Sequence, residues 1–108
     1  MRRRGSDAED RAAAYLLAKG YTLIGRRVTT RSGELDVVAL DGETLVAVEV
    51  RARRRGAPEL SVGPAKYARL LLALEEYARE AGAEGRPRRL DLIAIDGEGL
   101  RHYENAQL

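Results

Sequence analysis

Residues 33–53 read GELDVVALDGETLVAVEVRAR, two apolar runs flanking Asp41-Gly42, and each run carries acidic residues where a buried strand normally has none. A carboxylate inside an apolar run is costly to bury unless something positive pairs with it. The first run, Glu34 to Leu40, alternates in the manner of a strand, and Asp-Gly is a preferred dipeptide for a two-residue type I′ hairpin turn. In the second run, Glu43 to Ala52, Val46, Val48 and Val50 line one face, while Leu45, Ala47, Glu49 and Arg51 line the other. Apolar residues on both faces mark a central strand covered from both sides.

A two-residue turn at Asp41-Gly42 sets Glu34 opposite Glu49 and Asp36 opposite Ala47. On that register Glu34, Asp36, Glu49 and Arg51 project from one face, with Asp36 diagonal to Glu49. Three carboxylates crowded beside one guanidinium favour a cation among them, or a raised pKa on one carboxyl. The donors are all oxygen, the chain has no cysteine, and its single histidine is far along the sequence. Such a set suits a hard cation, Mg²⁺ with Mn²⁺ as substitute. A metal held this way polarises a phosphoryl oxygen and lowers the pKa of a bound water. A cationic side chain two residues from a ligand can steady that water and offset charge on phosphorus. Simpler readings stand beside these. Glu34 at a turn edge reads as a solvated strand end, Asp36 and Glu49 as a buried pair with Arg51 or Arg53, and Glu9 as a helix cap.

Outward from this stretch, Ser6-Asp7-Ala8-Glu9 has the form of a capping box. Ala8, Ala12, Tyr15 and Leu16 follow at helical spacing to Gly20, so a first helix is expected from Asp7 to about Lys19. Tyr21 to Thr30, rich in β-branched residues, reads as the first strand, turning at Arg31-Ser32-Gly33. Beyond Arg53 a basic loop runs to Gly63. Pro64 then opens a helix whose Tyr67, Leu70, Leu71, Leu74, Ala78 and Ala81 recur at three- and four-residue steps until Gly82. Leu90 to Ile95 is a fourth strand, and Asp96 to Gly99 turns the chain into a short last strand near Leu100 to Tyr103. The order α-β-β-β-α-β predicts an antiparallel meander of three strands, then a crossover that makes the third and fourth strands parallel. Asp91, interior to the fourth strand, is either a structural hydrogen-bond acceptor or a support for the acidic residues.

The chain has 108 residues, enough for one domain with its own core, with residues 1–5 expected as a flexible basic tail. Absence of cysteine excludes disulfide scaffolds, thiolate zinc sites and cysteine nucleophiles. No apolar run approaches the roughly 18 residues of a membrane span, and MRRRGSDAED lacks a signal-peptide core, so a cytoplasmic protein with no membrane contact is expected. Net charge is +2, yet 17 Arg against 2 Lys are grouped at Arg2–Arg4, Arg26–Arg31, Arg51–Arg55 and Arg86–Arg89. Grouped cations point to a polyanion such as DNA. Arg enrichment at 33% charged residues also arises from genome composition or a thermophilic background. With five Tyr and no Trp or Phe, sequence-specific readout of single strands is not expected.

An Asp near one strand end, followed by a strand closing in Glu-x-Lys, is the pattern of the restriction-endonuclease-like, or PD-(D/E)xK, nucleases. The whole chain resembles the YraN family within that superfamily and is similar in layout to archaeal Holliday junction resolvases. The resemblance runs through Glu9, GELDVVA at 33–39, LVAVEVRAR at 45–53, Lys66 and LDLIAI at 90–95. It implies a restriction-endonuclease-like three-layer α/β core with a mixed sheet. It further implies that Asp36 and Glu49 bind metal with the Val50 carbonyl as third ligand, and that Glu9 is directed at the same site. Arg51 stands where those nucleases usually carry Lys; it keeps the charge but cannot act as a base. Lys66, opening the second helix, is the candidate to take that place, or else a solvent-facing first-turn residue. Arg53, Arg54, Arg55 and Arg31 are read as nucleic-acid contacts, with pairing to Glu34 or Glu49 as the alternative for Arg53. Two functional classes follow: a Mg²⁺-dependent endonuclease acting on DNA, structured or branched, or a nucleic-acid-binding module that keeps the fold without catalysis. A purely structural domain is the third. A two-fold symmetric substrate would favour a homodimer, although no sequence feature locates an interface.

Overall fold

The computed structural model describes residues 6–54 and 56–106. Its elements are α1 (Ser6–Ala18), β1 (Thr22–Thr30), β2 (Gly33–Asp41), β3 (Thr44–Ala52), α2 (Pro64–Glu80), β4 (Arg88–Asp96) and β5 (Gly99–Tyr103), with a 3-10 turn at Pro58–Ser61. The expected basic tail and Arg55 lie outside the described residues, as does the Ser6 side chain of the expected capping box. Both helices end where glycine allows a positive φ, 101° at Gly20 and 70° at Gly82.

The five strands form one sheet in sequential order. β1, β2 and β3 are an antiparallel meander, β3 and β4 run parallel across the α2 crossover, and β5 returns antiparallel to β4. Each sheet face carries its own apolar cluster. Ala12 and Leu16 of α1 pack on Val37, Ala39, Val46, Val48, Ile93 and Ile95. Leu70, Ala73, Leu74 and Ala78 of α2 pack on Val38, Leu45, Ala47, Leu90 and Leu92. The result is the expected three layers, helix, sheet and helix, with β3 and β4 buried from both sides because they carry apolar residues at successive positions.

The hairpin register differs from expectation. Asp41 pairs with Thr44 and Val37 with Val48, so the turn residues are Gly42 and Glu43. Gly42 has φ 60° and Glu43 has no positive φ, which is the Gly-first type II′ pattern. A type I′ turn at Asp41-Gly42 would have placed Asp41 at positive φ as well. Each pairing therefore moves by two residues, which leaves every side chain on its expected face of β3.

The sheet also divides. The β2–β3 ladder ends at Val37 and Val48. Beyond it the start of β2 stays with β1 as far as Thr30–Gly33, and the end of β3 stays with β4 as far as Ala52–Ile95. At the division, pairing of β1 with β2 steps from Arg26–Val37 to Val28–Leu35, passing over Arg27 and Asp36, and Arg27 has φ 50°. Leu35 and Val38 both pack on the α2-side cluster although three residues apart, so alternation slips once between them.

Candidate functional site

Asp36 and Glu49 are the first residues past the β2–β3 ladder, one on each prong of the fork. Having left the ladder with β2, Val50 donates its amide to Asp36 Oδ2 at 2.9 Å. The Asp36 and Glu49 carboxyls are neighbours across the fork, and the Asp36 charge disfavours ionisation of Glu49. Only 4% exposed, its carboxyl is pushed up to about 7 by burial and then by the Asp36 charge, against the pull of Arg51 and Lys66. Arg51 Nη2 lies 2.7 Å from Glu49 Oε2. Lys66, in the first turn of α2, is near enough to act on the Glu49 charge from the helix side.

Glu9 reaches the fork from α1. It is 7% exposed, its Oε1 lies 3.0 Å from Arg27 Nε and 3.9 Å from Arg26 Nη2. Burial raises its pKa, the Asp36 charge adds to that, and the two arginines oppose it. Arg27 thus holds the Glu9 carboxyl as an ion pair on its Oε1 side. Of the five residues named from sequence, the fold sets Asp36, Arg51 and Lys66 around Glu49, and Glu9 within reach of the Asp36 charge.

Other expectations change. Glu34 is exposed and pairs with Thr29 of β1, so it stays outside the cluster, because the strands have already parted. The pairing considered for Arg53 is made by Arg51 instead; Arg53 is exposed and its backbone amide is bonded to the Ile95 carbonyl at 3.1 Å. Arg31 and Arg54 are exposed too, and among the described residues none of these three joins an ion pair within 4 Å. Arg26, Arg27, Arg86, Arg88 and Arg89, by contrast, are matched by carboxylates of the same chain. Much of the grouped positive charge is thus internally neutralised.

Asp91 is fully buried on the α1 side. It accepts from Arg89 Nε at 2.9 Å, Arg89 Nη2 at 3.1 Å and the Asn105 amide at 3.0 Å, and lies 2.8 Å from His102 Nε2. Burial alone would raise its pKa, and these bonds reverse that to a net lowering. His102 Nδ1 meets the Tyr15 hydroxyl at 3.1 Å. Of the two readings of Asp91, the structural one holds: it ties β4 and β5 to α1.

Tyr67 was read only as a core position of the second helix. Its hydroxyl is buried without a hydrogen-bond partner, and burial, then the Glu49 charge, raises its pKa. Among the described residues, the buried side-chain polar atoms without a hydrogen-bond partner are Arg51 Nε, Tyr67 Oη and Glu9 Oε1, the last of which is ion-paired with Arg27. All three belong to residues around Asp36 and Glu49. No sequence signal could have isolated Tyr67, since its helical spacing is fully explained by packing.

No three Asp, Glu or His side chains among the described residues stand close enough to hold an ion by themselves. Mg²⁺ is commonly held by one or two carboxylates together with waters and substrate phosphate, so the Asp36–Glu49 pair fits it. Val50, expected to offer its carbonyl, contributes its amide, which orients Asp36.

Fold and site together define a three-layer α/β domain with a buried carboxylate cluster in a split of its mixed sheet. The chain belongs to the family described as Uncharacterised protein family UPF0102, whose model matches residues 8–95. It is 42% identical over 109 residues to a UPF0102 protein of Anaeromyxobacter dehalogenans, covering 94% of this chain and 81% of that one. A UPF0102 protein of Symbiobacterium thermophilum is 43% identical over 98 residues, covering 88% and 83%. One from Pseudomonas paraeruginosa is 44% identical over 100 residues, covering 88% and 79%. No helix among the described residues is long and apolar enough to cross a membrane.

Proposed function

We propose that this protein is a metal-dependent nuclease of the restriction-endonuclease-like class, acting on DNA phosphodiesters. The observation that carries this reading is the convergence of Glu9, Asp36 and Glu49 in the β2–β3 fork, with Arg51 and Lys66 beside them. Asp36 and Glu49 would hold Mg²⁺, or Mn²⁺ in its place, and a bound ion would supply Lewis-acid polarisation and an acidified water. The chain's own residues prepare for it. The Val50 amide fixes the Asp36 carboxylate, and Glu49 near neutral pH would give up its proton to solvent when a cation takes its place. Arg51 and Lys66 place positive charge where a phosphoryl group gains negative charge. The exposed Arg31, Arg53 and Arg54 are left to grip the backbone, with Arg55 beside them in sequence.

A second reading rests on one contact. Arg51 Nη2 at 2.7 Å already occupies Glu49 Oε2, and an Arg in that position cannot serve as base. The same fold would then bind nucleic acid without cutting it. The two readings separate in a nicking assay on branched and single-stranded DNA with Mg²⁺ or Mn²⁺. Cleavage that vanishes in Asp36→Ala and in Glu49→Ala supports the nuclease. Binding that weakens with salt, with no cleavage in either metal, supports the binding module.

A further inference from the structure

Beside the carboxylate cluster lies an open cavity of about 650 Å³, lined in part by Tyr67, Leu92, Tyr103, Glu59 and Arg101. Its position relative to the fork follows from register. Glu49 pairs with Leu92 across β3 and β4, and Leu92 with Tyr103 across β4 and β5. The three residues therefore stand in one row on the α2 side of the sheet. At about 4.8 Å per strand, Tyr103 is about 10 Å from Glu49, on the order of three stacked nucleotides. Tyr67 belongs to both places: it lines the cavity, and the Glu49 charge acts on its hydroxyl.

The chemistry of the lining selects its occupant. Arg101 is bound by Glu59 at 2.8 Å and by Asp96 at 2.9 Å, so its charge is matched by two carboxylates and offers nothing to a phosphate. The other walls are apolar or uncharged at Ala57, Leu92, Ala106 and Asn105, apart from Glu104, whose carboxylate is paired with Lys19 at 3.1 Å. Tyr103 is 41% exposed, and its hydroxyl is tethered to Glu59 Oε2 at 2.7 Å. An aromatic ring held in this way binds a flat partner at little cost in side-chain entropy. The Tyr67 hydroxyl, buried and without a hydrogen-bond partner, becomes able to donate to or accept from a polar edge when its ring shifts toward the cavity. A neutral, planar, heteroaromatic group with hydrogen-bonding edges meets all three conditions.

We propose that this cavity receives an unpaired nucleobase of the strand whose phosphate lies at Asp36 and Glu49, stacked on Tyr103 and met at its edge by Tyr67. The proposal rests on the nucleic-acid reading above and narrows it. The substrate must present unpaired bases within about three nucleotides of the reacting phosphate, because a base held in a duplex cannot enter. Every base has a π-face, so this contact selects single-stranded character without selecting sequence.

The test is binding by the intact chain in EDTA at low salt, read by fluorescence anisotropy. The probes are a labelled single strand, its blunt duplex, and the same strand with abasic sites. The wild type should prefer the single strand to the duplex by at least about 5-fold. Tyr103→Leu, which keeps an apolar side chain and removes the ring, should lose about 5- to 100-fold on the single strand. It should change duplex affinity less than about twofold. Tyr103→Phe should retain the single-strand preference. The abasic strand should bind the wild type as weakly as Tyr103→Leu binds the normal strand, and should be indifferent to that substitution. A merely structural Tyr103 would not produce that last result. Equal affinity for normal and abasic strands, or equal loss on duplex and single strand, overturns the cavity's role while leaving nucleic-acid binding intact. Failure to bind any of the three at low salt overturns the underlying reading as well.

Discussion

Replacing Glu49 with glutamine should stabilise this fold above neutral pH, even though it removes an ion pair. In the folded chain the Glu49 carboxyl is pushed from 4.5 up to about 7, chiefly by burial. At 1.36 kcal/mol per pKa unit, ionising it inside the fold costs on the order of 3 kcal/mol. Between those two values the folded chain holds a proton that the unfolded chain has released, so stability falls as pH rises through this window and levels off above 7. Glutamine fills nearly the same volume, can bond to Asp36 through its amide, and never ionises. It gives up the Arg51 contact, which is partly solvent-exposed and contributes at most about 1 kcal/mol. The net gain at pH 8 is about 1–3 kcal/mol, or a rise in Tm of about 4–8 °C for each kcal/mol in a domain of this size. Near pH 5 the two proteins should be alike. Thermal unfolding followed by circular dichroism at pH 5, 6, 7 and 8 in EDTA checks this directly. A gap that stays constant with pH, or a variant less stable than wild type at pH 8, would refute the raised carboxyl. Added Mg²⁺ should raise Tm of the wild type at pH 8, by about 2.7 kcal/mol of stability at a hundredfold excess over Kd, and leave the variant nearly unmoved.

Two further substitutions test the scaffold. Asp91→Ala leaves Arg89 and His102 without their common partner and should cost about 3–5 kcal/mol at pH 7 in urea unfolding. Because the Asp91 pKa is lowered on folding, its contribution is present above 3.8 and disappears as pH falls through the lower folded value, so wild type and variant should converge in acid. Gly25→Ala would set a Cβ 2.8 Å from Val28 Cγ2, and should destabilise by about 1–3 kcal/mol with little change in nucleic-acid affinity. A neutral result there would mean that the β1 irregularity between Leu23 and Gly25 relaxes freely.

Gly20 and Gly82 punctuate the helices as the sequence suggests, because only glycine takes positive φ without penalty. The faces of β3 were legible in the same way, since a period of two survives any register error of two residues. That robustness saved the site from a wrong turn assignment: Gly42-Glu43 replaces Asp41-Gly42, and Glu49 and Arg51 still face α2. What periodicity could not convey is the fork. Whether the start of β2 pairs with β1 or with β3 is a competition for backbone hydrogen bonds among neighbouring strands. No local pattern at Glu34 or Asp36 records its outcome. The positive φ of Arg27, a residue with no intrinsic preference for it, is likewise visible only once the strands are in place.

By itself, then, the sequence determined the order of elements, the burial of β3 from both sides and the identity of the acidic residues, all of which depend on spacing within one element. The tertiary structure alone decided which of them meet. It separated Glu34 from the cluster, swung Glu9 in from α1, and set Arg51 against Glu49. It also brought Tyr67, which lines a cavity, within reach of the Glu49 charge. Those outcomes depend on distances between elements far apart in the chain, and such distances are set by how the two helices and the divided sheet pack together.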